Sequence, residues 1–157
     1  MRLFATLVFC STLVAQTFQV VPSTAPRGGT GSLLITLVSP EGKEPVALQW
    51  KILLGTEVTA AAEDIVVGEA AKTADKVLAC ALVAKPVQEG LTYKCILAGG
   101  VKPIANGTVF RVKYGVKQKT KTHTMGVRIS DAIAVLQHSD QVLKVDVAPA
   151  DGTITVP

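Results

Sequence analysis

"EPVALQWKILL", residues 44–54, holds the only tryptophan of the chain. Val46, Leu48, Trp50, Ile52 and Leu54 fall in one phase, and Ala47, Gln49 and Lys51 fall in the other. A period of two is the mark of a half-buried β-strand, because successive side chains point to opposite faces of the sheet. Trp50 lies in the apolar phase and is therefore expected in a core, not on a ligand-binding surface. The remaining runs carry the same signature. "GSLLITLVS" (31–39) sits between two turn-rich segments, "PRGGT" and "PEGKEP". "EDIVVGE" (63–69) is a short β-branched run; the alanines around it suggest helix, but Gly68 and the valines limit that to one turn. "KVLACALV", "LTYKCILAG", "TVFRVKYGVK", "HTMGVRISDAIAVL", "QVLKVDV" and "GTITV" follow, with residues 19–30 forming an extended first strand and turn. About eight or nine short strands punctuated by Gly and Pro predict an all-β fold, an antiparallel β-sandwich.

The chain has 157 residues, room for one domain with a real core. At its start, Arg2 precedes an uncharged, mostly apolar run from Leu3 to Ala15. This reads as a secretory signal peptide, since about 13 residues is too short to span a bilayer. The expected division is a leader over 1–17 and a domain over 18–157, with Gln16 as the other candidate for the first mature residue. No later apolar run reaches membrane-spanning length. The mature chain is expected to be secreted, periplasmic or at the cell surface.

Two cysteines remain after the leader, Cys80 and Cys95, each in a strand-like run. In an oxidising compartment they are expected to form a disulfide, the alternative being two buried thiols. Closing a loop of about 16 residues would contribute roughly 3 kcal/mol in the chain-entropy view. Neither belongs to a CxxC pair, so a redox or zinc role has no support.

Three segments together resemble cohesin-type domains: "GSLLITLVSPEGKEPVALQWKILL", "IANGTVFRVKYGVK" with Ile104, Gly107, Val109, Val112 and Tyr114, and the terminal "DVAPADGTITVP". The likeness spans the mature chain. It implies a nine-stranded jelly-roll sandwich and a non-catalytic binding role, which in cellulosomal systems means binding a dockerin. The chain differs at "LLGTEV" (53–58), where cohesins commonly carry Asp-Pro, and in its cysteine pair. In these respects it looks like the stand-alone exported members, whose partner is another exported or envelope protein, dockerin-like or otherwise. No dockerin-contact residue is carried over.

Net charge is concentrated in one place. Between Val109 and Arg128 lie Arg111, Lys113, Lys117, Lys119, Lys121 and Arg128, with no acid among them. Taking these six from the 16 basic residues leaves ten, against twelve acidic ones elsewhere. Arg111, Lys113 and Lys117 share the strand phase opposite Phe110, Val112, Tyr114 and Val116, and "KQKTK" reads as the turn that follows. This basic face is the candidate binding surface for an anionic partner. A plain alternative is a solvated face whose lysines discourage edge pairing. The second functional reading is therefore a carbohydrate-binding module that takes an anionic polysaccharide through Arg111, Lys113, Lys117, Lys119 and Lys121. An aromatic strip for neutral sugars is not expected, because Trp50, Phe110 and Tyr114 all lie in inward phases. Nucleic acid is not expected either, since stacking aromatics are not interleaved with the basic residues.

No enzyme is expected. His123 and His138 lack partners at zinc-ligand spacing, no Gly-x-Ser-x-Gly elbow occurs, and no loop concentrates oxygen ligands, so neither metal nor cofactor is implied. Asp131, His138 and Asp140 in "SDAIAVLQHSD" read as a strand and turn rather than a catalytic group. "NGT" at 106–108 matches a glycosylation sequon, but Asn106-Gly107 is read as a turn opening a strand.

Overall fold

The computed structural model describes residues 15–83 and 90–157; the expected leader, apart from its last residues, lies outside them. Twelve strands build two sheets: β1 Thr17–Val21, β2 Ser23–Thr24, β3 Thr30–Val38, β4 Ala47–Leu54, β5 Val58–Thr59, β6 Ile65–Val67, β7 Val77–Leu82, β8 Leu91–Ala98, β9 Gly107–Val116, β10 Thr124–His138, β11 Gln141–Val147 and β12 Ala150–Thr155. A 3₁₀ turn (Ala62–Asp64) and a five-residue helix α1 (Glu69–Thr73) lie between β5 and β7. The strand count exceeds the expected eight or nine in part because β2 and β5 are two residues long, too short to leave an alternating pattern.

The five-stranded sheet runs β1-β3-β9-β5, with β6 also on β9; the seven-stranded sheet runs β2-β12-β10-β4-β8-β7, with β11 on β10. The neighbouring strands are antiparallel, apart from the short β12–β2 pairing. The alternation read from the sequence is what the sandwich buries: Leu48, Trp50, Ile52 and Leu54 from β4 meet Leu33, Ile35 and Leu37 from β3 and Phe110, Val112, Tyr114 and Val116 from β9. Trp50 has no solvent exposure. It stacks on Phe110 with ring centroids 4.4 Å apart, and Phe18 closes on both rings. Among the described residues its indole N–H has no hydrogen-bond partner.

Two irregularities shape the surfaces. On β9 the register slips beside Thr36, so that Val109 and Phe110 both point inward. A bulge commonly re-aims side chains in this way. Gly68 packs against that bulge, donating its N–H to the Val109 carbonyl at 2.9 Å. A Cβ there would lie 2.4 Å from the Thr108 carbonyl oxygen, so only glycine allows the close approach that starts α1. On β10 the pairing with β4 breaks between Ser130 and Ile133, and Asp131 takes φ +48°. Asn106 clamps the β3–β4 turn: its Oδ1 accepts from the Ser39 N–H and its Nδ2 donates to the Ser39 carbonyl.

Candidate functional site

The basic residues do not form one surface. Arg111 and Lys113 project from the outer face of the five-stranded sheet. Arg111 is half-buried over Leu34 and Val66, its register neighbours, and its guanidinium lies 3.5 Å from the Glu69 carboxylate. Lys113 is exposed. Lys117 lies one residue past β9, where its Nζ donates to the Thr56 carbonyl at 2.6 Å. Lys119 and Lys121 are exposed on the loop from β9 to β10, around the buried Thr120. Arg27, which charge counting along the chain did not single out, joins them by donating from Nε to the Thr120 carbonyl at 3.1 Å. Arg128 sits on the other sheet, 3.9 Å from Asp151. One end of the sandwich thus gathers Arg27, Lys117, Lys119 and Lys121, while Arg111 shares the Glu69 carboxylate with Lys72.

The outer face of the seven-stranded sheet is different in kind. Cross-strand register sets Ala79, Ile96, Gln49, Ile133 and Asp146 in one row across β7, β8, β4, β10 and β11. Val77 pairs with Ala98, and Ala47 with Val135, along a second apolar row. Val77 is 71% exposed and Ile96 46%. Ala47, Ala79, Ala81 and Ala98 keep this surface flat. The next row is charged: Lys94 and Lys51 are register neighbours, Lys51 Nζ meets the Asp131 carboxylate at 2.6 Å, and Arg128 and Asp151 lie beyond. The Lys51 hydrogen bond and charge hold the Asp131 carboxyl below the usual carboxylate range. The β10 bulge opens a shallow cleft of about 420 Å³ here, lined by Gln49, Lys51, Lys94, Asp131, Ile133 and Asp146. Sequence reasoning missed this face because its residues come from five strands. The inward phase of each strand was plain, but the lateral order was not.

Cys80 and Cys95 stand opposite each other on β7 and β8 and are joined as a disulfide. Among the described residues, no group of three His, Cys, Asp or Glu side chains is placed to hold a metal ion. His138 and Asp140 lie at the exposed tip of the β10–β11 hairpin, and Asp131 lies in the bulge. No described helix is long and apolar enough to cross a membrane.

Solved structures similar to this one include cohesins. A non-cellulosomal cohesin from Archaeoglobus fulgidus superposes with a TM-score of 0.65 at 13% identity, over 91% of each chain. The seventh ScaB type I cohesin from Pseudobacteroides cellulosolvens gives 0.68 at 13% identity, over 91% of this chain and 92% of that one. This is the cohesin fold. A third cohesin of that fold, from a type I cohesin–dockerin complex of Clostridium thermocellum, superposes with 0.66 at 10% identity over 91% and 99%. No protein-family model matches the sequence, and no curated protein matches it. The likeness to cohesins is thus one of backbone architecture, carried by alternation and turns.

Proposed function

We propose that this protein is a non-catalytic, exported protein-binding module of the cohesin type, and that it docks its partner on the outer face of the seven-stranded sheet. The observation that carries the reading is the set of exposed apolar side chains, Val77 and Ile96 with the alanines opposite them, beside the charged row of Lys51, Lys94 and Asp131. Apolar side chains beside charged ones are common in protein interfaces. Exposed apolar patches of this sort mark interaction sites. That cohesins of the same fold have been solved with dockerins supports a dockerin-like protein as partner. The apolar leader-like start and the disulfide support export. An anionic polysaccharide is the less favoured partner, because Arg111 is occupied by Glu69 and the remaining lysines are spread over a loop end.

The test is capture of a partner from the source's secreted and envelope fraction at low and high salt. Three baits are compared: the natural protein, Ile96→Asp, and the double variant Arg111→Glu/Lys113→Glu. A protein retained at high salt by the natural bait and by the charge variant, but lost by Ile96→Asp, supports the reading. Polysaccharide captured only at low salt, and lost from the charge variant, refutes it, since screening removes exposed charge contacts.

A further inference from the structure

The free edge of the seven-stranded sheet is β7, and with the residue after it the strand reads Val77-Leu78-Ala79-Cys80-Ala81-Leu82-Val83. This run is identical in both directions about Cys80 and carries no charge. Exposed edges are ordinarily guarded by lysine, proline or a bulge that blocks pairing with another chain. None of these guards occurs in this run. Val77 is 71% exposed and Leu82 49%. The nearest described charge, Lys76, is buried and donates to the Gly99 and Gly100 carbonyls, which holds it away from the edge.

The backbone is in phase with the palindrome. Val83 donates its N–H to the Thr92 carbonyl of β8 at 2.8 Å. Hydrogen bonding alternates along an antiparallel pair, so Val77, Ala79, Ala81 and Val83 turn their N–H and C=O groups toward β8. Leu78, Cys80 and Leu82 turn theirs to the open side, where no described residue bonds them.

We propose that a second copy of this chain pairs with the first edge to edge, β7 antiparallel to β7, about a two-fold axis at Cys80. Cys80 then exchanges both backbone hydrogen bonds with Cys80 of the second copy, and Leu78 does the same with Leu82 of the second copy. Side chains meet their like: Leu78 with Leu82, Ala79 with Ala81, and Val77 with Val83. A two-fold interface must be self-complementary, and an uncharged palindrome centred on an outward-bonding residue meets that condition in both side chains and backbone. The disulfide stays within each copy, because Cys80 uses only its backbone at the axis. One strand pair buries less than a standard interface, so the dimer is weak and dependent on concentration. It joins the two seven-stranded sheets into one and sets their outer faces side by side. The inference rests on the edge alone and stands whether or not those faces bind a partner.

Sedimentation velocity of the disulfide-intact protein, from low micromolar to millimolar concentration, tests this. The expected result is a monomer–dimer equilibrium, with amide exchange at Leu78, Cys80 and Leu82 slowing as concentration rises. Leu82→Pro removes an N–H that faces the open edge, where proline is tolerated. It should weaken dimerisation on the order of 30-fold, the effect of losing one hydrogen bond at each of two symmetric positions. Ala81→Lys restores a guard without touching the backbone and should weaken the dimer comparably, at a small cost to the monomer because position 81 stands opposite Lys94. A natural protein that stays monomeric throughout overturns the proposal. So does a dimer that persists in Ala81→Lys with those three amides still exchanging fast.

Discussion

Replacing Trp50 separates a core role from a ligand-binding one, and the structure sets the size of the effect. The side chain is fully buried between Phe18 and Phe110, with the Phe110 ring stacked 4.4 Å away. Burying about 200 Å² of aromatic surface at about 25 cal/mol per Å² contributes roughly 5 kcal/mol as an upper bound. Trp50→Ala also leaves a cavity between two rigid sheets, which places the loss at about 3–5 kcal/mol. Total stability for a domain is only about 5–15 kcal/mol. Trp50→Phe behaves differently. It keeps a ring against Phe110 and Phe18 and removes an indole N–H that has no partner among the described residues. Relieving a buried unsatisfied donor is worth about 1–3 kcal/mol, which offsets much of the lost volume. The net cost of Trp50→Phe should therefore be about 1 kcal/mol or less.

Urea unfolding measures both variants, followed by circular dichroism because the substitutions remove the chain's only tryptophan. In the natural protein, Trp50 emission should be blue-shifted when folded and move red on unfolding. If Trp50→Ala unfolds at the natural midpoint, the side chain is not a core element and the packing argument fails. If Trp50→Phe costs as much as Trp50→Ala, relief of the unsatisfied N–H does not offset the lost volume.

Four further outcomes are expected. Cys80→Ala/Cys95→Ala should lower stability in urea by about 3 kcal/mol, from freeing a cross-link over a sequence separation of 15 residues, with the fold retained. The Asp131 carboxyl, followed by NMR, should titrate below the ordinary aspartate range near 3.9 and move back toward it in Lys51→Met. Because its folded pKa is lowered, the contribution of this pair is present above the unfolded pKa and is lost as pH falls through the folded value; Asp131→Asn should flatten that part of the acid limb. Gly68→Ala should destabilise by about 1–3 kcal/mol, since its Cβ would press on the Thr108 carbonyl, and thermal melting checks this. If the proposed export removes a leader, N-terminal sequencing should find Gln16 first, because Gln16 is buried, its Nε2 donates to the Lys43 carbonyl, and Thr17 already pairs with Val38.

The sequence was most legible where one strand faces one core. Leu48, Trp50, Ile52 and Leu54 could be assigned inward from four residues of alternation, and every one is buried. The cysteine pairing was expected from the compartment that the leader-like start implies, and the structure adds that Cys80 and Cys95 fall in register on adjoining strands. What stayed hidden depends on lateral order or on a break in periodicity. Arg111, Lys113 and Lys117 share a phase, yet β9 ends at Val116, so Lys117 leaves the face for Thr56 while Arg111 turns to Glu69 on a different element. Arg27 lies far from Lys119 in sequence and meets its loop only through the Thr120 carbonyl. The β10 bulge at Asp131 is a change of one residue in a continuous apolar run. No alternation count marks it, although it creates both the cleft and the Lys51 ion pair.

The two sheets have been given unlike exteriors, and this bears on which one docks a partner. On the five-stranded sheet, the exposed apolar residues Val21 and Leu34 sit in register with Arg111, and the Arg111 side chain covers the ground between Leu34 and Val66. A partner landing there would have to displace an arginine already paired with Glu69, losing that contact before gaining any. On the seven-stranded sheet, Val77 and Ile96 stand opposite Ala98 and Ala79, which have no side-chain rotamers to immobilise and no charge to strip of water, with Gln49 on the other side of Ile96. Ordering costs are a principal drain on association free energy, so a surface of short, rigid side chains on paired strands is already close to its bound form. The charged groups Lys51, Lys94 and Asp131 form the adjoining row, and the partly exposed Lys51–Asp131 pair can guide a partner into register. Affinity should therefore respond far more to Ile96 than to any lysine of the chain, and it should show this mainly in the dissociation rate.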